Sequence, residues 1–132
     1  VAFPGESEED FEDTLDVMRQ VKFEQVFAFK FSPRPLTKAA EFTNQIDSEI
    51  GSERLERLQL MQDGILDEIA ERRRDKVYPV YIDELRNSGF LAGRTDNNAL
   101  VQIKGDENLL GQTVPIKITN PKRLSLYGEI VL

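Results

Sequence analysis

The segment Arg94-Thr95-Asp96-Asn97-Asn98 combines side chains that suit contact with a nucleic acid, and it lies where a short strand is expected to end in a turn. Asparagine tolerates left-handed turn geometry, and its amide both donates and accepts hydrogen bonds. A purely structural hairpin would explain Asp96, Asn97 and Asn98, but it does not require Arg94 and Thr95. We therefore predict that Arg94, Thr95, Asn97 and Asn98 contact RNA.

A second group of candidate residues surrounds the last predicted turn of the chain. Its four cations are Lys104, Lys117, Lys122 and Arg123. We predict that Lys122 and Arg123 bind RNA and that the two strand lysines extend the same basic edge, because loop RNA is commonly held by phosphate contacts together with base stacking. Phe90 or Tyr127 could provide a stacking surface, although burial in the core is the expected role of each.

Two sites in the first part of the chain are candidates for binding a ligand or an anion. Pro4, Gly5 and Glu6 lie between a strand end and a helix start, where α/β folds place ligand loops. The alternative is a tight turn followed by a helix-capping charge. Arg34 lies between two prolines, and its planar guanidinium could hold a carboxylate or a phosphate with two hydrogen bonds. Its structural alternative is to pair with the acidic first helix.

The composition excludes several classes of catalytic chemistry. The 132 residues include no Cys and no His, so the chain carries no disulfide, no thiolate nucleophile, no cysteine-ligated cluster and no Ser-His-Asp triad. The commonest zinc sites are excluded on the same ground. Catalysis by these residues alone would depend on carboxylates, Lys, Arg, Ser, Thr or Tyr, which favours a part of a larger machine over a complete enzyme.

The net charge of −7 argues against binding of nucleic acid through the overall electrostatic field. Residues 77–132 nevertheless contain six basic and six acidic side chains, so residues 1–76 carry the whole excess. This balance is compatible with a local basic face on the C-terminal part. No apolar run approaches the roughly 20 residues of a membrane span, and no signal peptide is recognisable, so we expect a cytoplasmic protein. Because the chain starts without Met, we expect it to begin inside a longer protein.

Residues 1–46 show the pattern of a β-α-β unit. The first three residues are typical of the end of a buried strand. Ser7, with Asp10 three residues later, predicts an N-capped helix that ends near Gln20. Alternating phenylalanines predict a second strand over Gln25–Phe31, parallel to the first.

A long helix is predicted to start between Asp47 and Ser52 and to end near Arg74. Its apolar stripe consists of Leu55, Leu58, Met61, Ile65 and Ile69. Five short strands are predicted after it, over Val77–Leu85, Phe90–Arg94, Leu100–Lys104, Thr113–Asn120 and Ser125–Leu132. Five strands within 56 residues, separated by turn signals, favour a small closed barrel of the oligonucleotide-binding type. The predicted fold class is therefore α+β.

Three segments resemble, in the same order, motifs of one enzyme family. Residues 2–11 (AFPGESEEDF) resemble its GFPGE(T/S)-x-E-D-F segment, residues 31–40 (FSPRPLTKAA) its (F/Y)SPRPGTPAA segment, and residues 93–98 the GRTDNN of its C-terminal TRAM domain. The family is that of the MiaB-type tRNA methylthiotransferases, which are radical SAM enzymes, and the resemblance spans essentially the whole chain. Ala2 and Leu36 stand where the motifs have glycine, and Lys38 replaces a proline.

This resemblance implies an organisation and an activity for a longer protein. Residues 1–46 would be the C-terminal piece of a radical SAM partial barrel, 47–76 a linker helix, and 77–132 a TRAM barrel that binds the tRNA anticodon stem-loop. The full-length enzyme would methylthiolate carbon 2 of the modified adenosine next to the anticodon, with S-adenosylmethionine and two 4Fe-4S clusters as cofactors. Pro4, Gly5 and Glu6 would then lie near S-adenosylmethionine.

The chain alone is expected to be inactive and to bind no cofactor, because the cluster-binding cysteines of the family are absent from it. Its missing N-terminal domains would be its natural partners, and without them the open strand edges of residues 1–46 favour self-association. Three alternatives remain. They are a sister methylthiotransferase that acts on another tRNA adenosine modification, a non-catalytic RNA-binding barrel, and a protein-interaction module that uses the acidic first helix and the apolar face of the long helix.

Overall fold

The computed structural model describes residues 1–132, apart from the side chain of Ser88. The chain divides into two compact units, Val1–Ile65 and Leu66–Leu132. The division falls within the long helix, so the last residues of that helix belong to the second unit. None of the helices in the described part of the chain is long and apolar enough to cross a membrane.

The first helix, α1 (Glu8–Val21), starts where the sequence predicts. Ser7 Oγ accepts a hydrogen bond from Asp10 N at 3.0 Å, and Asp10 Oδ2 accepts one from Ser7 N at 2.8 Å. This reciprocal pair is a capping box, which satisfies amide donors that the first helical turn leaves unpaired. The buried residues of α1 recur at helical spacing on one face, namely Phe11, Leu15 and Met18.

Residues 25–31 do not form the strand that the sequence predicts. Phe31 N donates to Val1 O at 2.8 Å, and the Val1 ammonium donates to Phe29 O at 2.8 Å, which is the hydrogen-bond pattern of a single parallel link. A strand needs a run of backbone partners, and among the described residues Val1 alone supplies them to this segment. The predicted β-α-β unit is therefore reduced to one parallel contact.

The alternation predicted for the same segment is present. Phe27 and Phe29 are 78% and 75% exposed, whereas Val26 and Ala28 are partly buried. An extended segment with outward phenylalanines and unpaired backbone is a suitable edge for pairing with another chain. Self-association of the chain therefore stays a prediction.

The long helix, α2 (Ser48–Glu71), buries Leu58 and Ile65 of the predicted apolar stripe, and Leu55, Met61 and Ile69 of that stripe are partly buried. Arg54 and Gln62 are buried together with Leu58 and Ile65. Arg54 is not a member of the apolar stripe, and it is buried because its guanidinium is neutralised: Nη1 donates to Glu6 Oε1 at 2.9 Å and to Glu6 O at 2.8 Å. A buried cation is tolerated where it is paired and hydrogen-bonded.

The second unit is a closed barrel with the strand order β1-β2-β3-β5-β4. The strands are β1 (Val77–Arg86), β2 (Phe90–Arg94), β3 (Leu100–Lys104), β4 (Thr113–Pro121) and β5 (Leu126–Ile130). Neighbouring strands are antiparallel except for β3 and β5, which pair in parallel. The predicted five-stranded barrel is therefore confirmed.

Alternate residues of these strands fill the barrel. The strand residues of the barrel core are Val80, Ile82, Leu91, Val101, Ile103, Ile116, Ile118 and Leu126. Ala70, from the last turn of α2, packs into the same core. Gly93 lets β1 and β2 approach closely, because a Cβ at this position would overlap the carbonyl oxygen of Tyr81.

The two residues that replace family glycines have left-handed backbone. The φ angle is 61° at Ala2 and 69° at Leu36. Thr37 N donates to Arg34 O at 3.3 Å, and with Pro35 second and Leu36 third in the turn this is the arrangement of a type II turn, whose third residue needs a positive φ. The Leu36 side chain is fully exposed, so packing does not offset the backbone strain.

We expect Leu36→Gly to stabilise the first unit by about 1 kcal/mol. Relief of a left-handed cost of about 1–2 kcal/mol is partly offset by the greater freedom of glycine in the unfolded chain. Urea unfolding followed by circular dichroism measures the effect. Leu124→Gly is the control, because Leu124 is 80% exposed without a positive φ, and it should bring no gain. Equal stability of Leu36→Gly and the parent chain would show that the turn is not strained.

Candidate nucleic-acid interface

The turn between β2 and β3 holds its own side chains in place. Thr95 is buried, its Oγ1 accepts a hydrogen bond from Ala99 N at 3.0 Å and donates one to Asn97 Oδ1 at 2.5 Å. Asn98 has a φ of 65°, as expected for an asparagine in a left-handed turn. Arg94 is exposed, and its Nη1 donates to Asn98 O at 3.1 Å. The turn therefore directs the Arg94 guanidinium outward and keeps the Thr95 hydroxyl inside.

We expect Thr95→Val to destabilise the barrel by about 1–3 kcal/mol, because the partly buried Ala99 amide loses its side-chain acceptor while the side-chain volume is kept. Thermal unfolding measures the change. Thr113→Val is the matched control on an exposed position of β4, and its effect should stay within about 0.5 kcal/mol. If both variants unfolded at the same temperature as the parent chain, the Thr95 hydroxyl would not stabilise the turn.

The basic edge predicted around the last turn is divided by the structure. Arg123 binds Asp67 of α2 through two hydrogen bonds, from Nε to Oδ1 at 3.0 Å and from Nη2 to Oδ2 at 2.9 Å. These bonds lower the pKa of the Asp67 carboxyl below its usual range. Lys117 Nζ lies 3.4 Å from Asp75 Oδ1. Arg123 is therefore held by Asp67 and does not extend freely beside Lys122.

We expect Asp67→Asn to tighten the binding of single-stranded RNA and to steepen the dependence of log affinity on log salt by up to about 0.7, because the charged hydrogen bonds that hold Arg123 to Asp67 are weakened. Fluorescence anisotropy at several salt concentrations measures both. The control is Asp83→Asn, an exposed aspartate on β1 that removes the same charge without freeing an arginine. Identical binding by the two variants would show that the ion pair with Asp67 does not restrict RNA binding.

The sign of the pH effect follows from the lowered pKa of Asp67. The ion pair contributes its stability above the unfolded pKa of an aspartate, about 3.9, and loses it as the pH falls through the lower folded pKa. Asp67 therefore holds Arg123 throughout the neutral range.

Two aromatic rings and two lysines converge on the outside of β2, β3 and β5. Phe90 lies opposite Lys104 in the register of β2 and β3, and Gln102 lies opposite Tyr127 in the register of β3 and β5. The Phe90 and Tyr127 rings are 6.4 Å apart, with an angle of 87° between their planes. Lys104 Nζ lies 5.7 Å from the centre of the Phe90 ring, and Lys122 Nζ lies 5.7 Å from the centre of the Tyr127 ring. We call these five residues the aromatic face.

The aromatic face carries exposed positive charge and a fixed amide. Neither lysine is paired with a carboxylate among the described residues. Gln102 Nε2 donates to Ser125 Oγ at 2.7 Å and to Tyr127 Oη at 3.1 Å, which holds the phenol in position. Aromatic rings flanked by cations can bind nucleotides through stacking and phosphate contacts together.

Sequence reasoning considered Phe90 and Tyr127 separately and expected both in the core, whereas the structure leaves both only partly buried and brings them together. It did not select Gln102 at all. Strand alternation predicts that these side chains point out of the barrel. It does not predict that they lie close together, because that depends on the parallel pairing of β3 with β5.

The candidate loop at Pro4, Gly5 and Glu6 has its donors occupied. Glu6 N donates to Phe3 O at 2.9 Å and Gly5 has a φ of 86°, which forms a second type II turn. Gly5 N donates to Asn44 O at 2.9 Å. The Glu6 carboxylate accepts hydrogen bonds from Ala2 N and from the buried Arg54. The loop therefore has the geometry of a tight turn held by a buried ion pair.

The candidate anion site at Arg34 is exposed, and among the described residues no carboxylate pairs with it. The acidic side chains of α1 pair instead with α2: Glu8 and Glu12 both bind Arg57. The hydrogen bond from Arg57 lowers the pKa of the Glu8 carboxyl. Across the described part of the chain, no group of three or more carboxylates is arranged to hold a metal ion.

Comparison with known proteins identifies the barrel first. Residues 71–131 match the family model of the TRAM domain, so the second unit contains a TRAM domain. Nearly the whole chain is similar to tRNA-2-methylthio-N(6)-dimethylallyladenosine synthases. It is 62% identical over 98% of its length to the enzyme of Campylobacter concisus, 59% over 99% to that of Campylobacter jejuni and 56% over 99% to that of Nitratiruptor sp..

The match to these relatives covers part of their length. The chain spans 30% of each of the three relatives, in their C-terminal region, and the resemblance recognised from the three sequence motifs is confirmed. A conserved protein of Methanococcus maripaludis, solved in solution, shares 25% identity and covers 45% of this chain, but its TM-score of 0.39 is too low to define a common fold.

Proposed function

We propose that the chain is the tRNA-binding C-terminal part of a methylthiotransferase that modifies carbon 2 of the hypermodified adenosine next to the anticodon. The observation that carries this proposal is the aromatic face, on which two lysines without carboxylate partners lie over two aromatic rings. Such a surface suits RNA, because cations hold the phosphates and rings stack with the bases. The nucleoside is taken from the names of the relatives.

In this proposal the three parts of the chain have different roles. Residues 1–46 are the C-terminal piece of a radical SAM domain, 47–76 a linker helix, and 77–132 the RNA-binding barrel. The anticodon stem-loop contacts the aromatic face. The residues predicted from sequence to bind RNA are Arg94, Thr95, Asn97, Asn98, Lys122 and Arg123, of which Lys122 belongs to the aromatic face. Arg94 is the outward cation of its turn and Thr95 supports that turn from inside.

The residues of this chain offer no ligands for the iron–sulfur clusters of such an enzyme. The chain has no Cys and no His to ligate an iron–sulfur cluster, and the amides of Gly5 and Glu6 are already hydrogen-bonded within it. S-adenosylmethionine and the two 4Fe-4S clusters would supply the methylthiolation chemistry in the longer protein. Contact of Pro4, Gly5 and Glu6 with S-adenosylmethionine stays a prediction.

We expect Lys104→Ala combined with Lys122→Ala to lower the slope of log affinity against log salt by about 1.4 for an anticodon stem-loop RNA, at roughly 0.7 for each lost contact with a single strand.

Arg94→Ala should cost about 1–3 kcal/mol of binding free energy as a lost charge-assisted hydrogen bond. Fluorescence anisotropy of the 132-residue chain at several salt concentrations measures both effects.

Lys117→Ala is the control for these variants, because Lys117 is paired with Asp75 on another part of the barrel. Its substitution removes one positive charge, as each of the other substitutions does. Its slope should equal that of the parent chain. The proposal would be refuted by a Lys104→Ala, Lys122→Ala double variant that binds the stem-loop like the parent at every salt concentration.

A further inference from the structure

We propose that Phe90 and Tyr127 are stacking surfaces for unpaired bases and that Lys104 and Lys122 occupy the ring faces until RNA displaces them. This inference rests on the proposed function and specifies the form of RNA that the aromatic face selects. Both rings are only partly buried, and both lie on the outside of the barrel next to a lysine.

The angle between the rings determines which RNA fits. The ring planes are 87° apart, and the edge of one ring faces the other. Two bases stacked on these rings are therefore nearly perpendicular to each other, whereas successive bases in a helix are parallel. A duplex cannot present its bases in this way, because they are stacked and paired. Loops and unpaired strands can, since their bases are free to separate.

The lysines link phosphate binding to base stacking. An ammonium over an exposed ring is held weakly, whereas a base stacked on the ring is held more strongly, and a phosphate attracts the ammonium away from the ring. Each lysine that moves to a phosphate thus uncovers a ring face for a base. Gln102 restrains Tyr127 through the hydrogen bond at 3.1 Å, so this ring is oriented before RNA arrives.

The experiment uses the 132-residue chain and two fluorescein-labelled probes, a single-stranded RNA of mixed sequence and the duplex that it forms with its complement. We expect Phe90→Leu and Tyr127→Leu each to weaken binding of the single strand by about 5- to 150-fold without changing the salt slope, because a stacking contact is lost and no phosphate contact is. Phe90→Tyr, which keeps a ring, should bind within about twofold of the parent.

Phe27→Leu is the matched control, since Phe27 is a 78% exposed phenylalanine of the first unit, outside the aromatic face, and its removal should leave RNA affinity unchanged. An NMR titration of the parent chain tests the same contact and does not depend on whether a variant folds. In NMR spectra, the ring protons of Phe90 and Tyr127 should shift upfield on addition of the single strand and not on addition of the duplex.

The outcomes separate this inference from the proposed function. Leucine variants that bind like the parent, while Lys104→Ala and Lys122→Ala reduce the salt slope, would overturn stacking and leave RNA binding intact. Duplex RNA bound as tightly as the single strand, or ring protons that do not shift, would also overturn stacking. A parent chain that binds neither the single strand nor an anticodon stem-loop would refute the proposed function itself.

Discussion

The parallel pairing of β3 with β5 is the constraint on which the second unit depends. It is the one parallel contact among the described strands, and it joins the two strands that would otherwise be the edges of an open sheet. Without it, Val101 and Leu126 would no longer be buried where the barrel closes. The same register sets Gln102 beside Tyr127, so the closure of the core and the assembly of the aromatic face have one cause.

The first unit relies on two arginines of α2 in place of a sheet. Arg54 is buried with Glu6, and Arg57 binds acidic residues of α1 at the surface. A buried pair of this kind adds little net stability, but loss of one partner leaves an uncompensated buried charge, which is costly. The excess of acidic residues in this half of the sequence is therefore partly neutralised where it occurs, and the helices are held together by charge as well as by apolar packing.

Predictions from sequence succeeded where the determinant is local. The capping box at Ser7 and the alternation of the barrel strands depend on residues a few positions apart, and both were found. The failures involve distant partners. Residues 25–31 have the composition of a strand but only Val1 to pair with, and Arg54 is polar in sequence yet buried by Glu6, 48 positions away. The aromatic face also depends on distant partners. Strand alternation predicts that its side chains point outward, but it does not predict the strand pairing that brings them together.

The last turn of α2 shows that a boundary drawn from sequence similarity differs from one drawn from packing. The TRAM match begins at residue 71, yet Ala70 is part of the barrel core and Asp67 holds Arg123. A domain excised at the match boundary would lack a piece of its own hydrophobic interior, and its Arg123 would lose the two hydrogen bonds to Asp67. Affinity for polyanions measured on such a trimmed domain would overstate that of the intact polypeptide, so dissection should begin upstream of Asp67.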